Sequence, residues 1–447
     1  MRQRYILLFW FPLFASWMLM SAEGPLISAA INRLPNEVLM LAAMGIVTSL
    51  SVTIESPVIN LLATSTALVR DNHSYRLVRR FTIHWCLALT IVAILVAYTP
   101  LFDLIVRQLL DVPVEIAEWI RPGMKLMVPW SAAIGWRRFL QGIMIRYDQT
   151  RKVAYGTIVR LVGSGGTVIL LAIWSQWPGV VIGSISLVIG VVAEAAYATL
   201  AAHTLIRDKL GPDSPPDEEG SSLTYRELFW FHLPLAATSV LILFMQPMVT
   251  SSLARLDQPT LTLAAWPIVF QILLMARAAA MALPEVVIAL HEGPHTFGPI
   301  RKFSLILTVA ALLSMAAFTF TPLAQWYIFD IQDMTVEVGE LALSSLGLFL
   351  LFPALAVLTS WARGLLIQSR HTRYVNVGMA VNLIITAVAL VSGVLFKWPG
   401  LLTAALALNL ASAGEVAYLL WRTQQTLPIG LAMFGPPKIQ PPQPSEI

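Results

Sequence analysis

The sequence predicts an all-α membrane protein: twelve transmembrane helices arranged as two parallel six-helix repeats. Three observations carry this. Of 447 residues, 57% are apolar and only 12% charged, whereas a soluble domain averages about 25% charged residues. Apolar runs of 18 or more residues recur along the whole chain, each long enough to cross a bilayer core. The second half also repeats markers of the first at a nearly constant shift.

Read against charges and Pro/Gly breaks, the runs give spans at 6–30, 37–68, 81–101, 119–145, 153–175, 179–206, 228–254, 260–289, 302–326, 338–368, 374–396 and 400–421. Pro57, Pro129, Pro247, Pro267, Pro284 and Pro353 are the expected kink sites, because each removes a helical hydrogen bond. Eighteen Lys and Arg residues fall in the termini and the loops on one side, against six on the other. The positive-inside rule then puts both termini in the cytoplasm of an inner (plasma) membrane. Residues 208–223 read as a polar linker between bundles at 1–207 and 224–427, and residues 428–447 as a disordered Pro-rich tail.

The opening stretch "RYILLFWFPLFASWMLMSAEG" has the basic start and apolar core of a secretory leader. Its "LFWF" at 8–11 returns at 228–231, straight after the linker, so it reads as a first helix. With a shift of 222, Pro25 matches Pro247, Arg33 matches Arg255, and Thr150-Arg151 matches Thr372-Arg373. Trp136 and Arg138 match Trp361 and Arg363, "WPG" at 177–179 matches 398–400, and Glu194 matches Glu415. Both copies enter from the same side, and for such repeats the site is expected between the halves near the midplane.

Charges inside spans cost at least about 2.5–3.5 kcal/mol on insertion scales, so they face partners or water. Arg137, Arg138, Arg160 and Arg363 lie close enough to the cytoplasmic side to serve as snorkelling anchors, or to form a positive vestibule that collects anions. Glu55 and Arg277 lie deeper and occupy equivalent positions in the two halves, so they are expected to face each other across the cleft as a structural ion pair or a gate. Glu285 is a further candidate to share Arg277. Glu23, beside Gly24-Pro25, suits a proton or cation site, as does Glu55. Glu194 and Glu415 suggest a shared structural role. "GSGG" at 163–166 reads as a close helix contact. The single Cys86 excludes an internal disulfide, the seven histidines show no metal-ligand spacing, and no P-loop occurs. Neither a metal, a cofactor nor nucleic acid is therefore expected. With no soluble domain large enough for an ATPase, any work must draw on a gradient.

A six-plus-six parallel repeat also fits the major facilitator architecture. However, "FWFHLPLAATSVLILFMQPMVTSSLARLD", "LFPALAVLTSWARGLLIQSRHTR" and "SAGEVAYLLW" resemble the progressive ankylosis family, within the superfamily of multidrug extruders and oligosaccharide-lipid flippases. That resemblance implies a MATE-like V of two bundles, with the first, second, seventh and eighth helices lining the cavity. It further implies export of small multivalent anions such as pyrophosphate, citrate or nucleotides, with Glu55 and Arg277 on the cavity wall and Arg363 carried over from the family pattern. The expected partners are thus a small anionic solute, a proton or sodium ion, and membrane lipid. Alternatives are a lipid-linked oligosaccharide flippase, a cation-coupled multidrug extruder, and an intramembrane enzyme, which would need clustered His, Asp or Glu at one depth.

Overall fold

The computed structural model describes residues 2–147, 149–211, 223–291, 293–369 and 371–426. Most of the linker, the Pro-rich tail and Arg370 lie outside them. The first half runs α1 (Gln3–Ser21), α2 (Glu23–Ile31), α3 (Glu37–Ile59), α4 (Leu61–Leu68), α5 (Asn72–Tyr98), α6 (Val114–Leu126), α7 (Trp130–Arg146), α8 (Thr150–Trp174) and α9 (Gly179–Lys209). The second runs α10 (Tyr225–Leu243), α11 (Met245–Ala254), α12 (Pro259–Ala276), α13 (Ala278–Met281), α14 (Leu283–Leu290), α15 (Pro294–Phe320), α16 (Pro322–Gln325), α17 (Val336–Leu346), α18 (Phe352–Gln368), α19 (Thr372–Leu395) and α20 (Gly400–Thr426).

Among the described residues, ten helical segments are long and apolar enough to cross a membrane, or eleven if α17 and α18, bent by 46°, count as one. The α6–α7 segment expected as the fourth span is not among them; Glu115, Glu118, Arg121, Lys125, Arg137 and Arg138 dilute its apolar character.

Four spans break beside a proline, which removes a backbone donor. The breaks fall at Ala22 before Pro25, at Asn60 after Pro57, at Phe244 before Pro247 and at Ala282 before Pro284. Pro267 is different: it sits inside the uninterrupted α12. There its ring meets α3, where a Cβ on Gly45 would come within 2.6 Å of Pro267 Cγ. The "GSGG" stretch serves the close approach of α8 and α9: a Cβ on Gly163 would meet the Gly190 Cα at 3.3 Å.

Backbone geometry confirms the internal repeat. Asn36 (φ 59°) and Asp111 (φ 57°) have left-handed counterparts 222 residues on, at Gln258 (φ 51°) and Asp333 (φ 52°). These are rare conformations for non-glycine residues. A short π-helix follows the third span in each half, at Asp103–Leu109 and Trp326–Ile331.

The halves exchange their leading helices. α1 packs on α13, α14 and α15, while α10 packs on α3, α4 and α5. Trp10 Nε1 donates to the Ala279 carbonyl at 3.1 Å, and His232 Nε2 bonds the Pro57 carbonyl at 3.0 Å. Both carbonyls lie at helix breaks, and both partners are offset by 222. Trp10 is therefore equivalent to His232, which corrects the "LFWF" alignment by two residues. The Pro57 carbonyl only accepts, so His232 Nε2 carries the hydrogen and Nδ1 accepts from the Thr64 hydroxyl at 2.8 Å. At the opposite end α3 packs along α12. The V is thus closed at both ends in this conformation.

Candidate substrate cavity and charge networks

In the first half, α7 presents Arg137 and Arg138 about 100° apart around its axis. Only Arg137 reaches Glu194 on α9, forming an ion pair of two almost fully buried side chains. Gln141 Nε2 donates to the other Glu194 oxygen at 3.1 Å. Arg160 on α8 grips Glu23 with two bonds, Nε to Oε1 at 3.1 Å and Nη2 to Oε2 at 2.5 Å. Glu55 is 7% exposed and its Oε2 has no hydrogen-bond partner among the described residues. The charges acting on it are Arg160, Arg137 and Arg138. Beside Glu23, Arg137 and Arg160 a crevice of about 10 Å³ remains, room for about one water.

The second half repeats this frame with different side chains. Arg363 on α18 bonds Glu415 on α20 through Nε at 2.9 Å and Nη2 at 2.5 Å. Asn382 Nδ2 donates to the second Glu415 oxygen at 3.0 Å. Arg277 stands at the break between α12 and α13, forms no ion pair among the described residues, and has a buried Nε without an acceptor. Its nearest aromatic is Phe352, 6.0 Å from ring centre to guanidinium. It opens onto a cavity of about 180 Å³ lined by Arg363, Asn376, Asn382, Ser360, Ser412 and Glu415, with Met245, Phe352, Leu383 and Leu408 as apolar wall.

Several expectations need correction. Glu55 and Arg277 do not pair: each turns into its own half, Glu55 toward the α7–α8 arginines and Arg277 toward Arg363 and Glu415. Glu285 lies on an exposed face of α14 and does not share Arg277. The cavity lies within the second half instead of between the halves, which are sealed by α3 against α12. Arg137 and Arg160 are partners of Glu194 and Glu23 and not anchors at the surface. The match of Trp136 and Arg138 to Trp361 and Arg363 also needs correction: α7 and α18 correspond at a shift of 222 at both ends, and Gly142 packs on Leu62 and Ser65 as Gly364 packs on Pro284 and Val287, so Arg363 stands at the position of Gln141 and Arg138 at that of Ser360. Gln141 and Arg363 accordingly bond the equivalent Glu194 and Glu415, while among the described residues Arg138 has a buried, unpartnered Nε. Asn382 is the partner of Glu415 that the sequence reading missed; the shift of 222, which places it at the position of Arg160, is the signal that could have found it.

No family model matches the chain, and no curated protein matches it. Solved structures do. An inward-facing multidrug resistance MATE family transporter of the MOP superfamily superposes with TM-score 0.69 at 12% identity, over 92% of this chain and 95% of that one. The lipid II flippase MurJ, in an inward closed conformation, gives TM-score 0.70 at 13% identity, over 94% and 87%. The MATE multidrug transporter DinF-BH gives 0.67 at 15% identity, over 95% and 96%. The all-helical, multi-pass fold of this chain is the one these MATE and MurJ structures share.

Proposed function

We propose that the chain is a secondary active transporter of an inner (plasma) membrane, with both termini cytoplasmic, that exports a small anion by alternating access. One observation carries this reading: the Arg277 guanidinium, without an ion-pair partner among the described residues, faces an internal cavity. A cation inside a membrane-spanning segment without an ion-pair partner is costly, so a ligand that supplies the counter-charge gains strongly. Arg277 would take the anion's charge, with Asn376 and the hydroxyls of Ser360 and Ser412 within the same cavity to meet its remaining oxygens. At about 180 Å³, against the 10–15 Å³ or so that one water needs, the space suits pyrophosphate or citrate better than a nucleotide. The stretches resembling the progressive ankylosis family support a multivalent anion. Glu55, with its unsatisfied oxygen, and Glu23 are the sites for a coupling proton or sodium ion. Arg138, whose Nε also lacks a partner among the described residues, would guide the anion toward the cavity.

A flippase for a lipid-linked sugar is the second reading, favoured by the likeness to MurJ. Reconstituted vesicles separate the two. The transporter reading expects labelled citrate or pyrophosphate to cross, and expects Arg277→Ala to cut that flux at least tenfold while reconstitution is unchanged. Full flux in Arg277→Ala would remove this residue from the mechanism. Translocation of a fluorescent lipid-linked sugar, with no anion flux, would favour the flippase.

A further inference from the structure

We infer that the end of the molecule opposite the termini is held shut by two equivalent arginine clasps, each half gripping the other, and that parting both opens that end. Arg33, just past α2, donates from Nη2 to the Ile331 carbonyl at 2.9 Å, and its Nε lies 3.8 Å from Asp333 Oδ2. Arg255, just past α11, donates from Nη2 to the Leu109 carbonyl at 2.5 Å, and its Nε lies 3.7 Å from Asp111 Oδ2. Every atom pair recurs at the same shift: 33 to 255, 109 to 331, 111 to 333. Each arginine is steadied by its own helix, Arg33 by the Ala29 carbonyl at 2.5 Å and Arg255 by the Ser251 carbonyl at 3.0 Å.

The chemistry explains the geometry. The gripped carbonyls end the two π-helices, where unpaired C=O groups concentrate negative potential and attract a cation. Asp111 and Asp333 follow in left-handed backbone, which turns each carboxylate back beside its own helix end. One guanidinium therefore meets a carbonyl and a carboxylate together. The clasps join the far ends of the first and seventh spans to the opposite half, so the two halves cannot separate there while both hold.

The clasps are also built to break. Their side chains are 46% and 31% exposed on the arginines and 59% and 64% on the aspartates, and such ion pairs are weak and screened by salt. The contacts nearer the termini are of another kind: Trp10 and His232, 7% and 0% exposed, make uncharged bonds. The two clasps are unequal. Beside Arg33, the buried Asn32 Nδ2 donates to the Gln332 carbonyl at 2.8 Å, and Gln332 Nε2 to the Pro25 carbonyl at 3.1 Å. The counterparts of Asn32 and Gln332 are Ala254 and Leu110, whose apolar side chains cannot make such bonds. A 3.3 Å bond from Ser251 Oγ to the Leu109 carbonyl is what backs Arg255. The Arg255 side parts first. None of this depends on which solute is carried.

The test uses the full chain in lipid nanodiscs, with Cys86→Ala and spin labels at Glu115 and Glu337, equivalent exposed positions at the start of α6 and α17. A second label pair at Arg4 and Arg226 reports the other end. Arg33→Ala with Arg255→Ala is expected to raise the long-distance population at Glu115/Glu337 several-fold, with Arg255→Ala alone exceeding Arg33→Ala alone. Should the double variant fail to fold, the unsubstituted clasps decide the matter: raising salt from about 0.05 M to about 1 M shortens the screening length to roughly 3 Å. That change should lengthen the Glu115/Glu337 distance and leave Arg4/Arg226 unmoved. An unchanged far-end distance in the folded double variant, or in the salt series if that variant does not fold, would overturn the proposal.

Discussion

The two halves share a skeleton but differ in what they place at its centre. Seven equivalent positions make the contrast: Glu23, Glu55, Arg137, Arg138, Gln141, Arg160 and Glu194 in one half stand where Met245, Arg277, Thr359, Ser360, Arg363, Asn382 and Glu415 stand in the other. The first set holds three Arg and three Glu, formally neutral, and leaves about 10 Å³ of space. The second holds two Arg and one Glu, formally +1, around about 180 Å³. Only the Glu194/Glu415 position keeps its residue type, and its arginine comes from a different place in each half, Arg137 at the position of Thr359 and Arg363 at that of Gln141. A shared carboxylate thus anchors the frame, while the divergent positions turn one half into a dense charge network and the other into an open cationic cavity.

The comparison can be broken by substitutions of graded effect. The largest is expected from Glu194→Ala, which strands Arg137, itself only 3% exposed. Removing one partner of a buried pair costs about 3–5 kcal/mol, seen as lost folded yield and a lowered midpoint in thermal unfolding of detergent-purified protein. Glu415→Ala should cost less, about 1.5–3 kcal/mol, because the Arg363 side chain is 28% exposed on the cavity side and water can reach it. Equal losses at the two sites would show that the halves do not differ in solvation.

Smaller still is Asn382→Ala. It removes one bond to Glu415 beside a cavity that can hydrate the freed oxygen, so about 1 kcal/mol is expected in the same melt. Last comes the Glu55→Ala/Arg277→Ala cycle. Since the two residues do not pair, their stability effects should add to within about 0.5 kcal/mol. A larger coupling energy would mean that they meet in another conformation, and would restore the gate expected from their equivalence.

Much of the architecture was legible in the sequence. Pro25/Pro247 and Arg33/Arg255 marked the repeat, and most of the prolines marked the breaks. The site was less legible, for a geometric reason. A constant shift tells which residues are equivalent, but not which neighbour each one faces. Arg137 and Arg138 differ by one position, yet a turn of about 100° sends only Arg137 to Glu194. Equivalence of Glu55 and Arg277 suggested contact across the symmetry axis, whereas each faces inward to its own half. Arg33 and Arg255 were visible as markers, but their partners lie 300 and 144 residues away along the chain. The recurrence of Asp111 as Asp333, beside "TPL" at 99–101 and 321–323, is the signal that could have found them.

Binding of the anion in the second half would be seen by locating one there. The protein would be crystallised with a brominated carboxylate and its anomalous scattering mapped. A bromine peak is expected inside the cavity between α18, α19 and α20, with a carboxylate oxygen about 3 Å from the Arg277 guanidinium, and no such peak in the Arg277→Ala protein. A peak between the two halves or beside Glu55, with the second-half cavity empty, would contradict binding in the second half.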